Sequence, residues 1–346
     1  MSTHSPSSAA AALSPDVDQA HEADAGVCRL TQWGLMKAQG AEAPQFLHGQ
    51  LTQDIQNLSA GTARLAGYCS AKGRLLATLV VWRAAVNNSP DTPDTPNTPD
   101  NLLLACSADV LPATLKRLSM FVLRAKCKLS DASAEWPLWG AAGTAAQQLL
   151  DPAHHLAVWG QHRMEGSGGA QDCVRLPDAV VAGRSVPRYL VAAAHAPALP
   201  FFSEDHWRWL EVHSGVARVQ AATQDQFVPQ MVNLELVGGV NFQKGCYPGQ
   251  EVVARSQYRG TLKRRAYVLQ GTQPLLPGQE VFSSADPGQP AGMVALAGSS
   301  AQGEHAALAE LKIAALQAGT LHAGSADGPL LLPGTLPYAL TAPENS

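Results

Sequence analysis

The chain has 346 residues, of which 46% are apolar and 15% are charged. This length and composition exclude a fully disordered chain and indicate two or three folded domains. The formal net charge of −4 argues against a protein that binds polyanions along its whole length, although it leaves room for a local basic patch. No run of about 18 apolar residues is present, so no membrane-spanning segment is expected.

The start of the chain has neither the cationic beginning nor the long apolar core of a secretory signal, so residues 1–25 are expected to be a disordered leader. The six cysteines are scattered, with no two closer than 21 positions, and none lies in a Cys-x-x-Cys or His–Cys cluster of metal-site spacing. Scattered thiols of this kind are typical of a reducing compartment. We therefore expect a cytoplasmic protein with no stably bound metal of its own.

Two apolar runs, residues 75–82 and 102–106, predict the strands of a hairpin. The stretch between them, residues 87–101, repeats Thr-Pro-Asp/Asn. Each of its prolines removes a backbone donor, so an enlarged flexible loop is expected there. A second flexible loop is expected over the glycine-rich residues 165–172.

Helical spacing of apolar side chains predicts helices over residues 43–51, 111–122 and 205–216. Residues 123–129 are predicted as a strand with its lysines facing outward. From about residue 263, short apolar runs are broken by Gly and Pro, which is typical of a small β-barrel.

These patterns together predict an α+β fold in two parts. An α+β body is expected over residues 26–262, and it contains both flexible loops. A C-terminal β-barrel domain with a loose tail is expected over residues 263–346.

The densest chemistry lies within residues 229–265, in the run Lys244-Gly245-Cys246-Tyr247-Pro248-Gly249-Gln250-Glu251. We predict a loop followed by a helix that begins at Pro248, with Gln250 and Glu251 in its first turn and residues 252–254 buried. A nearby cation and helix N-terminal amides both favour the thiolate form of a cysteine. Cys246 is therefore predicted to be a reactive thiol with Lys244 as its neighbour, whereas the other five cysteines are predicted to be small buried side chains.

The run resembles the K-G-C-Y-x-G-Q-E signature of the YgfZ family. These are folate-binding-like proteins that take part in the maturation of iron–sulfur proteins and are related to the glycine-cleavage aminomethyltransferase. Four further segments resemble family motifs in the same order: F-L-x-G-Q-x-T-x-D at residues 46–54, A-K-G-[RK] at 71–74, L-R-x-K at 123–126 and P-Q-x-x-N-L at 229–234. The resemblance covers roughly residues 26–340. It implies an aminomethyltransferase-like, ring-shaped α+β body with a central folate-type pocket that closes on the C-terminal barrel.

Two departures from the aminomethyltransferases bear on the chemistry. Their G-G-x-x-D-D strand, whose aspartate works next to the folate nitrogens, corresponds here to K-G-R-L-L-A, so Leu76 and Ala77 replace both carboxylates. Neither side chain can accept a proton, and glycine-cleavage aminomethyltransferase activity is therefore not expected. The glutamate that grips the pterin corresponds, in an alignment on Gly215, to His213, with Glu211 two positions earlier.

The expected cofactor is tetrahydrofolate, and its candidate site residues are Trp209, His213, Tyr247, Gln250, Glu251 and Arg255. Trp209 belongs to an aromatic cluster that could stack a pterin ring or pack in the core. The cationic stretch over residues 255–265 suits a ligand with several carboxylates, such as a polyglutamylated folate. RNA and a solvated strand edge are its alternatives.

The leading hypothesis is a folate-binding factor that assists assembly or repair of iron–sulfur proteins, including tRNA-modifying enzymes. Cys246 would act on a cluster, a partner thiol or a one-carbon unit, and on a cluster it could supply a single ligand. The expected partners are iron–sulfur proteins or their assembly machinery, with contact to nucleic acid indirect or weak. The alternatives are a folate-dependent one-carbon transferase and a non-catalytic folate-responsive adaptor.

Overall fold

The structure is a computed structural model that describes residues 25–84, 101–166, 169–259 and 262–340. The leader predicted over residues 1–25 lies outside this part of the chain except for its last residue. The predicted Thr-Pro loop also lies outside it, except that its final residue, Asn101, begins a strand.

The first half of the body is a five-stranded antiparallel sheet in the order β3-β4-β5-β2-β6. Its strands are β2 (Trp33–Gln39), β3 (Ala63–Cys69), β4 (Leu75–Arg83), β5 (Asn101–Ser107) and β6 (Lys128–Asp131). Strands β4 and β5 pair antiparallel, which confirms the predicted hairpin. Helices α1 (Ala43–His48) and α2 (Leu111–Val122) cover one face of the sheet and bury Leu47, Leu111 and Leu118 against it.

The second half is another antiparallel sheet of five strands, in the order β1-β7-β10-β9-β8. Its strands are β1 (Gly26–Arg29), β7 (Leu138–Ala142), β8 (Gln161–Gly166), β9 (Gly169–Val181) and β10 (Arg184–Ala192). Helix α3 (Gly143–Leu150) packs on one face, and helix α4 (Glu204–His213) lies at the core between the two sheets and the barrel. The largest buried side chains of that core include Trp82 and Trp207.

Three local predictions are wrong. The described residues of the loop expected over residues 165–172 lie in strands, because β8 and β9 pair with each other up to Gly166 and Gly169. Residues 123–127 are a turn rather than the start of a strand, since Leu123 adopts a φ of 47° that ends α2 and reverses the chain. Helix α4 ends at His213, three residues earlier than predicted, where Gly215 takes a left-handed φ of 67°.

The C-terminal part is a closed barrel of six strands in the order β11-β14-β13-β12-β15-β16, as the broken apolar runs predicted. The strands are β11 (Arg264–Gly271), β12 (Glu280–Ser283), β13 (Asp286–Ser299), β14 (His305–Lys312), β15 (Leu321–Ala323) and β16 (Leu330–Pro333). Helix α5 (Gln250–Tyr258) precedes the barrel. The fold is therefore α+β with a small C-terminal barrel. Within the described ranges, no helix is both long and apolar enough to cross a bilayer.

Candidate functional site

Cys246 lies in an irregular loop between a turn at Gly238 and helix α5, and its side chain is exposed to solvent. The other five thiols differ from it: Cys127 is half-buried and four are buried. Burial raises the pKa of the Cys69 and Cys106 thiols to about 12, and it raises those of Cys28 and Cys173 further still. Cys246 is therefore the accessible thiol of this protein.

Lys244 anchors the loop instead of facing solvent beside the thiol. Its ammonium donates hydrogen bonds to the carbonyl oxygens of His48, at 2.6 Å, and Leu51, at 3.0 Å, where helix α1 ends. The same Nζ lies 4.8 Å from the centre of the Tyr247 ring. Burial lowers the pKa of Lys244 to about 8, although electrostatic interactions with Asp54 and Cys246 oppose that shift. The lysine thus ties the cysteine loop to the F-L-x-G-Q segment.

Two more residues of the same N-terminal motif fasten the approach to the loop. The Thr52 hydroxyl donates to the carbonyl of Gly239 at 2.6 Å and accepts the amide proton of Gly67 at 2.7 Å. The Gln53 side-chain amide donates to the carbonyl of Gly238 at 2.6 Å. Asn241 completes the attachment, because its amide donates to the carbonyl of Thr52 at 2.9 Å. Motifs about 190 residues apart in sequence therefore build one structural unit.

A contact between two glycines sets the other end of the loop. Gly249 is the N-cap of helix α5 and has a φ of 79°. A Cβ there would stand 2.4 Å from the carbonyl oxygen of Ser70 and 2.6 Å from the backbone of Gly73. The A-K-G-R turn and the G-Q-E segment thus pack backbone to backbone, which a larger residue at position 249 prevents.

The helix after the loop begins later than predicted. Pro248 precedes the N-cap, so the first helical residues are Gln250 and Glu251, and both do lie in the first turn. Of residues 252–254, Val253 is buried, whereas Val252 is 38% exposed. The prediction of a fully buried triplet is wrong because α5 lies at the surface and turns one face to solvent.

Next to the loop lies an imidazole–carboxylate pair that the sequence did not single out. His48 Nδ1 is 2.9 Å from Asp54 Oδ1, and a Cβ at Gly245 would stand 3.8 Å from His48 Nε2. Burial opposes ionisation of Asp54, but hydrogen bonds from Asn57 and His48 outweigh it and hold the pKa of Asp54 below its ordinary value. His48 occupies the free position of the F-L-x-G-Q motif. Nothing in that motif indicates that His48 would lie next to Gly245, the residue before Cys246.

The other predicted residues of this region have different environments. Tyr247 is buried beneath Lys244, and burial raises the pKa of its hydroxyl. Gln250 is half-buried, while Glu251 and Arg255 are exposed on the first and last turns of α5. In the cationic stretch, Arg264 pairs with Glu310 and Arg265 pairs with Glu235, so these two charges serve internal ion pairs and not a free patch.

Trp209 and His213 lie together in a separate place, a cleft between α4, the β9–β10 turn and the barrel. Its volume is about 380 Å³, and strands β11, β14 and β16 complete its lining. The Trp209 ring is stacked on His206 at 5.4 Å and meets His213 edge-on at 4.5 Å. Gln270 and Glu304 place polar groups at the same cleft.

Glu211 faces the opposite side of α4, toward a central cavity between the two sheets. Both of its oxygens accept hydrogen bonds from Arg218 at 3.1 Å, and the two side chains are almost completely buried. The cavity holds two buried donors with no acceptor, Trp33 Nε1 and Arg188 Nη1, but its volume is about 30 Å³. That is room for one water molecule rather than a pterin ring.

Small-molecule pockets usually measure about 300–1,000 Å³ and combine apolar walls with a few polar groups. The cleft at Trp209 and His213 meets both conditions and fits tetrahydrofolate, whereas the central cavity does not fit it. Among the residues that the structure describes, no three His, Cys, Asp or Glu side chains are arranged to hold a metal ion.

Comparison with known proteins gives a consistent picture. No family model matches the chain. "tRNA-modifying protein YgfZ" of Klebsiella pneumoniae (strain 342) and of Serratia proteamaculans (strain 568) are each 29% identical to it, and the alignment covers 72% of both chains in each case. The protein of the same name from Edwardsiella ictaluri (strain 93-146) is 30% identical over 273 residues, again 72% of each chain.

Among solved structures, the glycine cleavage system aminomethyltransferase T from Bartonella henselae superimposes with a TM-score of 0.68. The match covers 92% of this chain and 87% of that one, at 17% sequence identity, and so shows a shared fold. The aminomethyltransferase-like architecture, the K-G-C-Y-P-G-Q-E loop with its N-terminal anchor, and the identity to the curated relatives all agree. The chain belongs to the YgfZ family.

Proposed function

We propose that this protein binds tetrahydrofolate and assists the maturation of iron–sulfur enzymes that modify tRNA, with Cys246 as the thiol that contacts the client's cluster. The observation that carries the proposal is the presentation of Cys246. It is the exposed cysteine of a loop that Lys244, Thr52 and Gly249 hold in place. The relatives' name, tRNA-modifying protein, supplies the process in which such a thiol would act.

A cluster that met Cys246 would need its remaining ligands from elsewhere. Iron–sulfur clusters are usually held by four cysteine ligands, and this site offers one exposed thiol. A client protein or small thiols therefore complete the coordination in this proposal. That arrangement suits transfer or repair better than storage, because a single ligand releases its cluster readily. The pair formed by His48 and Asp54 lies beside the loop and can accept the proton that the thiol loses.

The same proposal places the folate in the cleft beside the barrel. There the Trp209 ring would pack against the pterin, and His213 and Gln270 would hydrogen-bond its polar edge. Tetrahydrofolate supplies a carrier for one-carbon units when it is bound. Leu76 and Ala77 provide no carboxylate for aminomethyl transfer, which favours a regulatory or protective use of the folate over glycine cleavage.

The role of the thiol is tested by complementation of a bacterial strain that lacks its own YgfZ gene. The readout is the level of an iron–sulfur-dependent tRNA modification, measured by mass spectrometry of nucleosides. Cys246→Ser is expected to reduce the modification to the level of the empty vector, while Cys127→Ser, the matched control at a half-buried thiol, restores it. Full restoration by Cys246→Ser would remove the thiol from the mechanism.

The folate site is tested by calorimetric titration of the purified protein with tetrahydrofolate under anaerobic conditions. His213→Ala is expected to weaken binding about tenfold, since one buried polar contact to a ligand contributes about 1–1.5 kcal/mol. Trp33→Phe, which changes the central cavity, should bind as the wild type does. The reverse pattern would move the folate from the cleft to the central cavity, and no binding by any variant would end the folate proposal.

A further inference from the structure

Helix α2 and the turn after it form a basic surface that the proposed function leaves unused. We call it the α2 surface, and its exposed cations are Lys116, Arg117, Arg124, Lys126 and Lys128. Residues 110–130 contain no Asp or Glu. Helix α2 packs on strand β6, so these charges share one face of a chain whose formal net charge is −4.

The turn that carries two of these cations, Arg124 and Lys126, is fixed by the body of the protein. The Lys126 amide donates to the Glu42 carboxylate at 2.7 Å, and the Glu42 amide donates to the Lys126 carbonyl at 3.3 Å. Gly40 packs so closely that a Cβ there would stand 2.1 Å from the same carbonyl oxygen. A ligand would therefore meet charges on a preorganised backbone, which lowers the entropic cost of binding.

Aromatic and apolar side chains are interleaved with the cations. The Phe121 ring is 45% exposed, and the Arg117 guanidinium lies 5.8 Å from its centre. Met120 and Leu123 are 67% and 86% exposed. Cations that neutralise phosphates, next to an aromatic ring and an arginine plane on which bases stack, are the elements with which proteins bind single-stranded or looped RNA.

We propose that the α2 surface binds RNA, with its cations on the phosphates and an unpaired base against Phe121. The inference rests on the proposed function, because tRNA is the molecule whose modification that function serves. An aromatic ring among the charges favours RNA over an acidic protein: the surface carries five exposed cations, and the exposed Phe121 ring beside Arg117 is a surface on which a base can stack. Contacts of this kind give non-specific dissociation constants of about 10⁻⁴–10⁻⁶ M at physiological salt, which is enough to hold a tRNA near a client enzyme without competing with it.

The test measures binding of an unmodified tRNA transcript to the full chain by fluorescence anisotropy between 50 and 200 mM salt. The wild type should show an affinity that falls steeply with salt, about one unit of log–log slope per neutralised phosphate. Arg124→Glu with Lys126→Glu should weaken binding at least about tenfold and reduce that slope by about 2, whereas Arg124→Lys with Lys126→Arg, the charge-conserving control, should bind within about twofold of wild type. Phe121→Ser should weaken binding several-fold and leave the slope unchanged.

Equal binding by wild type and the charge-reversed variant would overturn the proposal, as would binding that does not depend on salt. Loss of binding in Met120→Ser with Leu123→Ser, while charge reversal has no effect, would also overturn it, because binding would then depend on apolar contacts and not on the cations. The measurement contains neither folate nor cluster, so its failure would leave the proposed role of Cys246 standing.

Discussion

Replacing Lys244 by methionine tests whether this lysine holds the cysteine loop. Methionine has a similar length but no donor, so the carbonyl oxygens of His48 and Leu51 lose their partner. An unsatisfied buried acceptor costs about 1–3 kcal/mol, or roughly 2–6 kcal/mol for the two. Removing the ammonium recovers part of this lost free energy, because the buried charge itself destabilises the folded chain. The pKa of Lys244 falls from 10.5 to about 8, and at about 1.4 kcal/mol per pKa unit that is about 3 kcal/mol.

At the middle of that range the two lost hydrogen bonds outweigh the burial of charge, and Lys244→Met should lower the free energy of unfolding by about 1 kcal/mol, and by about 3 kcal/mol at most, at pH 7. Urea denaturation followed by tryptophan fluorescence measures this loss, and Lys116→Met, at an exposed lysine, is the control with little change. Iodoacetamide labelling of Cys246, quantified on the modified peptide, should change in Lys244→Met and stay constant in the control. An unfolding midpoint equal to that of wild type would refute the anchoring role.

The same lysine gives a pH dependence with a defined sign. Its pKa is lower in the folded chain than in the unfolded one, so above about pH 8 the unfolded state binds a proton that the folded state does not. Stability contributed by such a group rises with pH across this window. The free energy of unfolding of Lys244→Met should therefore fall further below that of wild type, by about 2 kcal/mol more at pH 9.5 than at pH 8. A difference in free energy of unfolding that becomes smaller over this range would contradict the lowered pKa of Lys244.

Two further substitutions test the packing around the site. Gly249→Ala should destabilise the protein by at least about 2 kcal/mol, because it combines a left-handed φ with a backbone clash, whereas Gly183→Ala, with a φ of 77° and nothing within 4 Å, should cost about 1 kcal/mol. Equal losses of unfolding free energy for the two variants in urea denaturation would show that the backbone of Ser70 and Gly73 shifts to accommodate the added Cβ. Glu211→Ala should cost about 3–5 kcal/mol by stranding the buried Arg218, and Glu211→Leu with Arg218→Met should recover much of that loss. If the double variant is no more stable than Glu211→Ala, the loss in Glu211→Ala does not come from the unpaired buried charge of Arg218.

Much of the fold follows from local patterns. The broken apolar runs after residue 263 predicted the barrel, and the apolar runs on either side of the Thr-Pro stretch predicted a hairpin, because both depend on alternation within a few residues. The pairing of β8 with β9 could not be expected from the glycine-rich residues 165–172, because glycines occur at the ends of paired strands as well as in flexible loops. A left-handed Leu123 could not be expected from its sequence, because leucine rarely adopts that conformation.

The candidate site was predictable in its residues but not in its arrangement. The eight-residue run identified the loop and its exposed thiol. Lys244, predicted as the cationic neighbour of that thiol, instead donates hydrogen bonds to carbonyl oxygens about 195 positions earlier in the chain. No local sequence pattern indicates such a contact. The periodicity of α4 likewise could not say that Glu211 and His213 would face two different cavities, since that depends on the barrel packing against the helix.

The attachment of the cysteine loop also governs when the thiol is put in place. Two early segments hold the loop: the segment around Thr52 and the turn before Arg74. Both are among the first parts of the described body to be synthesised, and the loop itself is synthesised close to 200 residues later. A nascent chain therefore cannot present Cys246 correctly until nearly all of the body has emerged and docked. A short peptide with the same eight residues would lack every one of those supports. The geometry of this thiol is a property of the finished fold, and an incompletely folded copy would not offer it to a client.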